Sequence, residues 1–412
     1  MDFSYSATAR DHLDRVRAFM AAEIEPREGP TLRLAQHRPD GAALVAALVD
    51  ELKAKARADG LWNLFLPDRE HGAGLDNRDY APLAEAMGGS ALAPEVFNCN
   101  APDTGNAEVL LHFGSGPQRE QWLRPLLDGE IRSAFCMTEP QVASSDASAI
   151  AATAVLDGDE VVLNGRKWWS TGVGHPRCRF VIFMGVTDPD AHRYARHSMV
   201  LVPLDTPGVR VERMLSTMGL LDHPGGHGEV SFTDVRLPRS AVIGEPGQAA
   251  MIAQSRLGPG RVHHCMRLIG LAERALRLAC QRGTQRVAFG KPLVNLGGNR
   301  ERIAQARIAI EQARLLVLRT AWLLDTQGLG AALSEVSQIK ALVPRMAQDV
   351  IDLSIQLHGG AGLSDDLPLA AAWTNARALR LADGPDEVHL GVVARLELRP
   401  YLTASAEQPA AG

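Results

Sequence analysis

The chain has 412 residues, 46% of them apolar and 22% charged, with a formal net charge of −5. That length exceeds one ordinary hydrophobic core and predicts about three domains, and the acid excess excludes the concentrated basic face of a nucleic-acid binder. Five scattered cysteines (Cys99, Cys136, Cys178, Cys265, Cys280) form no CxxC pair, so they read as buried thiols in a reducing compartment. The N-terminus shows no apolar signal region and no run of about 18 apolar residues occurs, so the expectation is a cytoplasmic protein without a membrane span.

Residues from about 10 to 130 carry a helical period. LVAALVDELKAKARADGLW (44–62) keeps apolar positions three and four apart and closes at Gly60. From about 134 to 245 the period is two. ATAVLDGDEVVL (152–163) is an alternating pair around Asp157-Gly158, a two-residue hairpin signal, and Asn164-Gly165 predicts the next turn. RFVIFMGVT, HSMVLVPLD, GVRVERM and GEVSFTDVRL continue as strands, which predicts a small β-barrel or sandwich. From about 248 long helices return. Val336, Ile339, Val343, Met346, Val350, Leu353 and Leu357 make a bundle seam, and Ile303, Ile310, Val317 and Leu324 recur every seven residues before it. Gly359-Gly360 then stops the helix. The expected class is α+β multidomain: an all-α domain at 1–133, a β domain at 134–246, a four-helix bundle at 247–405 and a tail at 406–412.

Several chemistries are excluded. No G-x-G-x-x-G follows a strand and no Walker loop is present, which argues against a nicotinamide-binding unit or a P-loop. His263-His264-Cys265 does not read as a metal site, because neighbours on a helix point about 100° apart. His223 and His227 bracket Pro-Gly-Gly with no further ligands nearby, so no metal is expected.

Four clusters remain. FCMTEPQVASSD (135–146) offers the hydroxyls of Thr138, Ser144 and Ser145 in a Pro-interrupted loop, which taken alone is a capped loop. RKWWST (166–171) sets Trp168 and Trp169 beside Ser170 and Thr171; paired tryptophans are usually core, yet a flat ring wall beside small hydroxyls also suits a planar heterocycle. RVAFGKPL (286–293) places Arg286 three residues before Phe289, and QLHGG (356–360) places Gln356 before Gly359-Gly360. Arginine with glycine-exposed amides is what a diphosphate needs.

Taken in order with the acid-Gly turn of RLADGPDEVHL (380–390), these stretches resemble the acyl-CoA dehydrogenase family over about residues 50–400. LGPGRVHHCMRLIGLAERAL (257–276) is especially similar to the branch that includes the dehydrogenase part of long animal members with a kinase-like domain. The resemblance implies FAD as cofactor, with Thr138 near the flavin N5 edge and Phe135 and Met137 lining the ring. Ser144 and Ser145 share the loop, which is one residue longer than the common pattern; Trp169, Ser170 and Thr171 wall the other side. Arg286, Phe289, Gln356, Gly359 and Gly360 would serve the diphosphate and adenosine, with Arg286 reaching a neighbouring subunit's cofactor. Pro385, Asp386 and Glu387 fall where the family meets the FAD tail, although Asp386 by itself reads as turn-forming or solvated. Ser145, Gly258, Pro259, Gly260, Arg261 and Gly384 fall on the acyl-CoA side.

Asp383 aligns with the family's catalytic base, usually a glutamate. The implied reaction is α,β-dehydrogenation of an acyl-CoA to 2-enoyl-CoA, with Asp383 taking the α-proton while hydride passes to the flavin. A homodimer or homotetramer is implied, with an electron-transfer flavoprotein as acceptor. Two alternatives stay open: a flavin oxidase or monooxygenase on the same fold, and a non-catalytic assembly or binding member.

Overall fold

The computed structural model describes residues 4–406, so the expected tail beyond Ala406 lies outside the described residues. The chain sorts into two compact units. One holds Arg10–Leu75 and Ser90–Gly260; the other holds 4–9, Asp76–Gly89 and 261–406.

In the first unit, Gly41–Ala58 is the helix read from the apolar spacing, and it buries Val45, Leu48, Val49 and Leu52 on one face. Full burial of such side chains is worth ~1.5–3 kcal/mol each. The chain leaves this helix through Gly60 at φ +68°.

The period-two region forms one eight-stranded sheet. Its strands are β1 (Arg132–Cys136), β2 (Thr153–Asp157), β3 (Glu160–Thr171) and β4 (Cys178–Val186). They continue as β5 (His197–Pro203), β6 (Val209–Leu215), β7 (His227–Pro238) and β8 (Val242–Ile243). The order is β6-β7-β3-β2-β4-β5-β8, with β1 parallel beside β4. Val161, Leu163, Val181, Phe183, Val200, Val230 and Phe232 meet in its core.

Asp157 pairs with Glu160, so the hairpin loop is Gly158-Asp159. Gly158 sits at φ +60°, the first central position that a type II′ turn gives to glycine. Asn164-Gly165 is not a turn. β3 runs straight through it, with a register shift between Leu163 and Gly165. Asn164 Oδ1 accepts the Asp234 amide at 2.9 Å. A Cβ on Gly165 would stand 2.4 Å from that of Ala152. The pair is therefore a bulge in which glycine admits a close backbone instead of reversing the chain.

In the second unit the long helices are Ala249–Gln285 (from Arg261 on), Asn299–His358 and Asp386–Ala406. Non-helical Gly328 (φ +79°) divides the second into 299–327 and 329–358, which gives the four helices expected of the bundle. Val336, Ile339, Val343, Met346, Val350 and Leu357 of the predicted seam are buried. Gly359 ends the helix at φ +61°, its N–H donating to Ile355 O at 3.0 Å. The Asn77–Gly88 helix joins this unit through glycine contacts. A Cβ on Gly88 would fall 1.9 Å from Arg267 O, and one on Gly270 would fall 1.7 Å from Glu85 O.

Candidate active site

The first unit builds one wall. β1 ends at Cys136 and the chain enters the loop at Met137, where it is pinned from beneath by Lys167. That ammonium is fully buried and donates to Met137 O at 3.0 Å, Met184 O at 2.7 Å and Glu139 Oε1 at 2.7 Å. Glu139 in turn accepts the amides of Ala151 and Ala152, both at 2.9 Å. Ser144 Oγ accepts the Glu139 amide at 2.8 Å and closes the loop, which leaves Ser145 exposed beside it.

β3 lies against this loop through Trp168 N–H, which donates to Thr138 O at 2.9 Å. A register shift between Lys167 and Ser170 puts Trp169 at φ +53° and turns it out of the sheet, 40% exposed. Its ring meets Trp168 at 6.3 Å and His227 at 5.4 Å, and His227 Nδ1 bonds Thr171 Oγ1 at 2.9 Å. Thr138, Met137 and Thr171 are half-buried. Ser170 differs: its side chain is buried and accepts from the Cys136 thiol at 3.3 Å, so only its backbone can face the wall. Phe135 carries the Arg256 guanidinium over its ring at 4.1 Å.

The second unit presents the acid turn. Asp383 stands at φ +58° and Gly384 at φ +106°, between the Leu369–Ala378 helix and Asp386–Ala406. Asp383 O accepts from Arg261 Nε at 3.0 Å and from His389 Nε2 at 3.2 Å, while its Oδ2 lies 3.5 Å from His264 Nε2. A Cβ on Gly384 would meet His389 Nε2 at 2.8 Å. The adjacent His263 points elsewhere, into the core against Tyr80 at 4.9 Å. Asp386 is not solvated: Arg380 donates to its Oδ2 from both Nε and Nη2 at 2.7 Å, because the new helix turns it back over that arginine. Glu387 is exposed and Pro385 half-buried.

Two further sets lie in the same unit. Val287–Ala288 and Lys291–Pro292 pair as a hairpin whose tip is Phe289 (φ +49°) and Gly290 (φ +73°). Phe289 is 94% exposed and Arg286 is exposed at its base. Gln356, Gly359 and Gly360 are exposed together at the end of Asn299–His358. Gly258, Pro259, Gly260 and Arg261 are all helical within Ala249–Gln285.

The sequence assigns no role to Lys167, Glu139 or His389, and raises His227 and His264 only as metal ligands, which it rejects. Lys167 alone carries a local signal, a charge on the buried parity of a strand, in line with Val161 and Leu163.

The three parts of one family description cover nearly the whole chain. The acyl-CoA dehydrogenase N-terminal domain matches residues 6–130, the middle domain 134–235 and the C-terminal domain 250–398. The class is thus that of flavoprotein oxidoreductases, and FAD is the cofactor it carries. The chain belongs to the acyl-CoA dehydrogenase family. It is 52% identical to "Probable acyl-CoA dehydrogenase FadE2" of Mycobacterium tuberculosis, over 97% of both chains. It is also 52% identical to acyl-CoA dehydrogenase family member 10 of Mus musculus, covering 96% of this chain but only 37% of that longer protein. A solved Mycobacterium abscessus structure bearing the family's name is 66% identical, with a TM-score of 0.93 over 97% of this chain and all of that one (100%).

Proposed function

We propose that the protein is an FAD-dependent acyl-CoA dehydrogenase that forms 2-enoyl-CoA, with Asp383 as the base. The observation that carries this reading is the Asp383 turn: a half-buried carboxylate on a backbone fixed in a left-handed conformation by two donors to its own carbonyl.

The wall of the first unit fits a flavin. Trp169 offers an exposed aromatic face, Thr171 bonds the His227 that packs on it, and Thr138 stands on the loop joined to the neighbouring Trp168. The exposed Phe289 and Arg286, and the exposed Gln356 at the helix end, would supply a stacking ring, a guanidinium and a side-chain carboxamide for a dinucleotide tail, with Gly359 and Gly360 letting it approach the backbone. Pro385 and Glu387 are assigned to the same FAD tail by the family resemblance. Trp169, Thr138 and Thr171 would hold the flavin of FAD, whose chemistry when bound would be that of a hydride acceptor for the substrate's β-carbon. This chain's residues do the remainder. Ser145 and the Gly258–Arg261 stretch bind the acyl-CoA, and Asp383 removes the α-proton. A thioester α-proton is too weakly acidic for a carboxylate in water. The step therefore needs donors at the thioester carbonyl, the larger contribution, and water excluded around Asp383 by the acyl chain.

Electron-transfer flavoprotein as acceptor and a homodimer or homotetramer complete the proposal, the exposed Arg286 and Phe289 being suited to a neighbour's cofactor. The test is a panel from butyryl- to palmitoyl-CoA with an artificial electron acceptor. Enoyl-CoA formation from at least one member is expected, and turnover that needs oxygen would favour an oxidase instead.

A further inference from the structure

His264 occupies a position that packing alone does not require. Both ring nitrogens meet charged side chains: Nε2 faces Asp383 Oδ2 at 3.5 Å, and Nδ1 lies 3.1 Å from Arg267 Nη2. A guanidinium has donors and no acceptor. Nδ1 must therefore present its lone pair to Arg267, which puts the proton of the neutral ring on Nε2, the atom aimed at the carboxylate. Arg267, three residues along the same helix, thus sets the tautomer.

The other charged groups near Asp383 have different tasks. Arg261 and His389 bond its carbonyl, Lys340 from Asn299–His358 donates to Leu379 O, and Asp386 is held by Arg380. These contacts fix the backbone of the turn. His264 addresses the carboxylate. At 3.5 Å the contact is longer than a full hydrogen bond.

The geometry points to His264 as a positioning residue for the proton-abstracting carboxylate. It is a neutral imidazole whose Nε2–H, oriented by Arg267, holds Asp383 toward the substrate and favours its ionised form. This rests on Asp383 being the base. It also gives a physical reason why an aspartate serves where the family usually has a glutamate. An acid one methylene shorter tolerates less misalignment, since a displacement of about 1 Å can cost a hundredfold in rate, and a second group that fixes its rotamer restores the alignment.

The experiment uses FAD-loaded full-length protein, mixed without oxygen with the acyl-CoA from the panel that bleaches wild type fastest. His264→Leu fills the volume without a donor, and His264→Gln keeps an N–H. A donor facing a carboxylate lowers its proton affinity. His264→Leu should therefore slow bleaching about tenfold and move the acid-side midpoint of the rate–pH profile upward, with KM little changed. His264→Gln should recover part of both, and FAD content and thermal midpoint should stay near wild type. An unshifted pH profile in His264→Leu overturns the inference, as does loss of FAD in both variants, which would make His264 a purely structural residue. Asp383→Asn, run alongside, separates the two claims: if it bleaches normally, the base assignment itself has failed.

Discussion

Lys167 and Glu139 form a fully buried ion pair at 2.7 Å that fastens the 137–146 loop to the sheet. Each partner spends its remaining bonds on backbone: Lys167 on Met137 O and Met184 O, Glu139 on the amides of Ala151 and Ala152. The pair fixes where Thr138 stands relative to Trp168 and Trp169. Lys167→Met would leave the Glu139 carboxylate buried without its cation, at a cost of ~3–5 kcal/mol. The expected outcome is a lowered thermal midpoint together with loss of bound FAD. A Lys167→Met protein of wild-type stability that retains FAD would show that the loop holds itself.

Gly384 is required twice over, by its φ of +106° and by the 2.8 Å at which a Cβ would meet His389 Nε2. A residue forced into such backbone costs ~1–3 kcal/mol, and here the displacement falls on the next residue, Asp383. Gly384→Ala should keep FAD and helicity while slowing flavin bleaching by about a hundredfold. Stopped-flow absorbance against circular dichroism separates the two effects. Wild-type bleaching would mean that the turn has slack.

Much of this was legible in the sequence because periodicity and punctuation are local. The Gly41–Ala58 helix, the seam from Val336 to Leu357 and the stops at Gly60 and Gly359 all follow from spacing within a few residues. What escaped depends on partners distant in the chain. Asn164-Gly165 carries a turn's composition but becomes a bulge because β7 continues alongside it. Trp169 leaves the sheet through a second shift in that same pairing. His264 meets Asp383 only once the Ala249–Gln285 helix stands beside the turn, and no spacing rule announces that. Asp386, expected in water or in the turn, is taken by Arg380.

Two buried histidines make stability depend on pH. Burial holds His263 down to about 3 and His389 down to about 4, with nearby cations pushing the same way: Arg267 on the first, Arg261 and Lys340 on the second. Both stay neutral in the folded chain, whereas the unfolded chain protonates each near 6.5. Their contribution is fully present above pH ~6.5 and is lost as pH falls toward the folded values. The thermal midpoint should drop steadily on acidification below pH ~6.5, and His389→Gln should flatten that slope. A slope unchanged in the variant would place the titration elsewhere.

Arg286 and Phe289 stand exposed on a hairpin, Phe289 to 94%. If they serve a neighbour's FAD, Arg286→Ala should weaken FAD binding about ten- to a hundredfold, the worth of a charge-assisted bond. Helicity should not change. Equilibrium dialysis of FAD against the stripped protein measures this, and undiminished affinity would return Arg286 to the solvent-exposed surface.

The central claim is that Asp383 removes the α-proton. The direct measurement is the rate at which an acyl-CoA bleaches the flavin under nitrogen in Asp383→Asn compared with wild type. The variant should bind FAD normally and lose at least ~10³ in that rate, within the range of a general base, while Asp383→Glu retains partial activity and Asp386→Asn stays within a few-fold of wild type. Normal bleaching in Asp383→Asn would contradict the account and remove this residue from the mechanism.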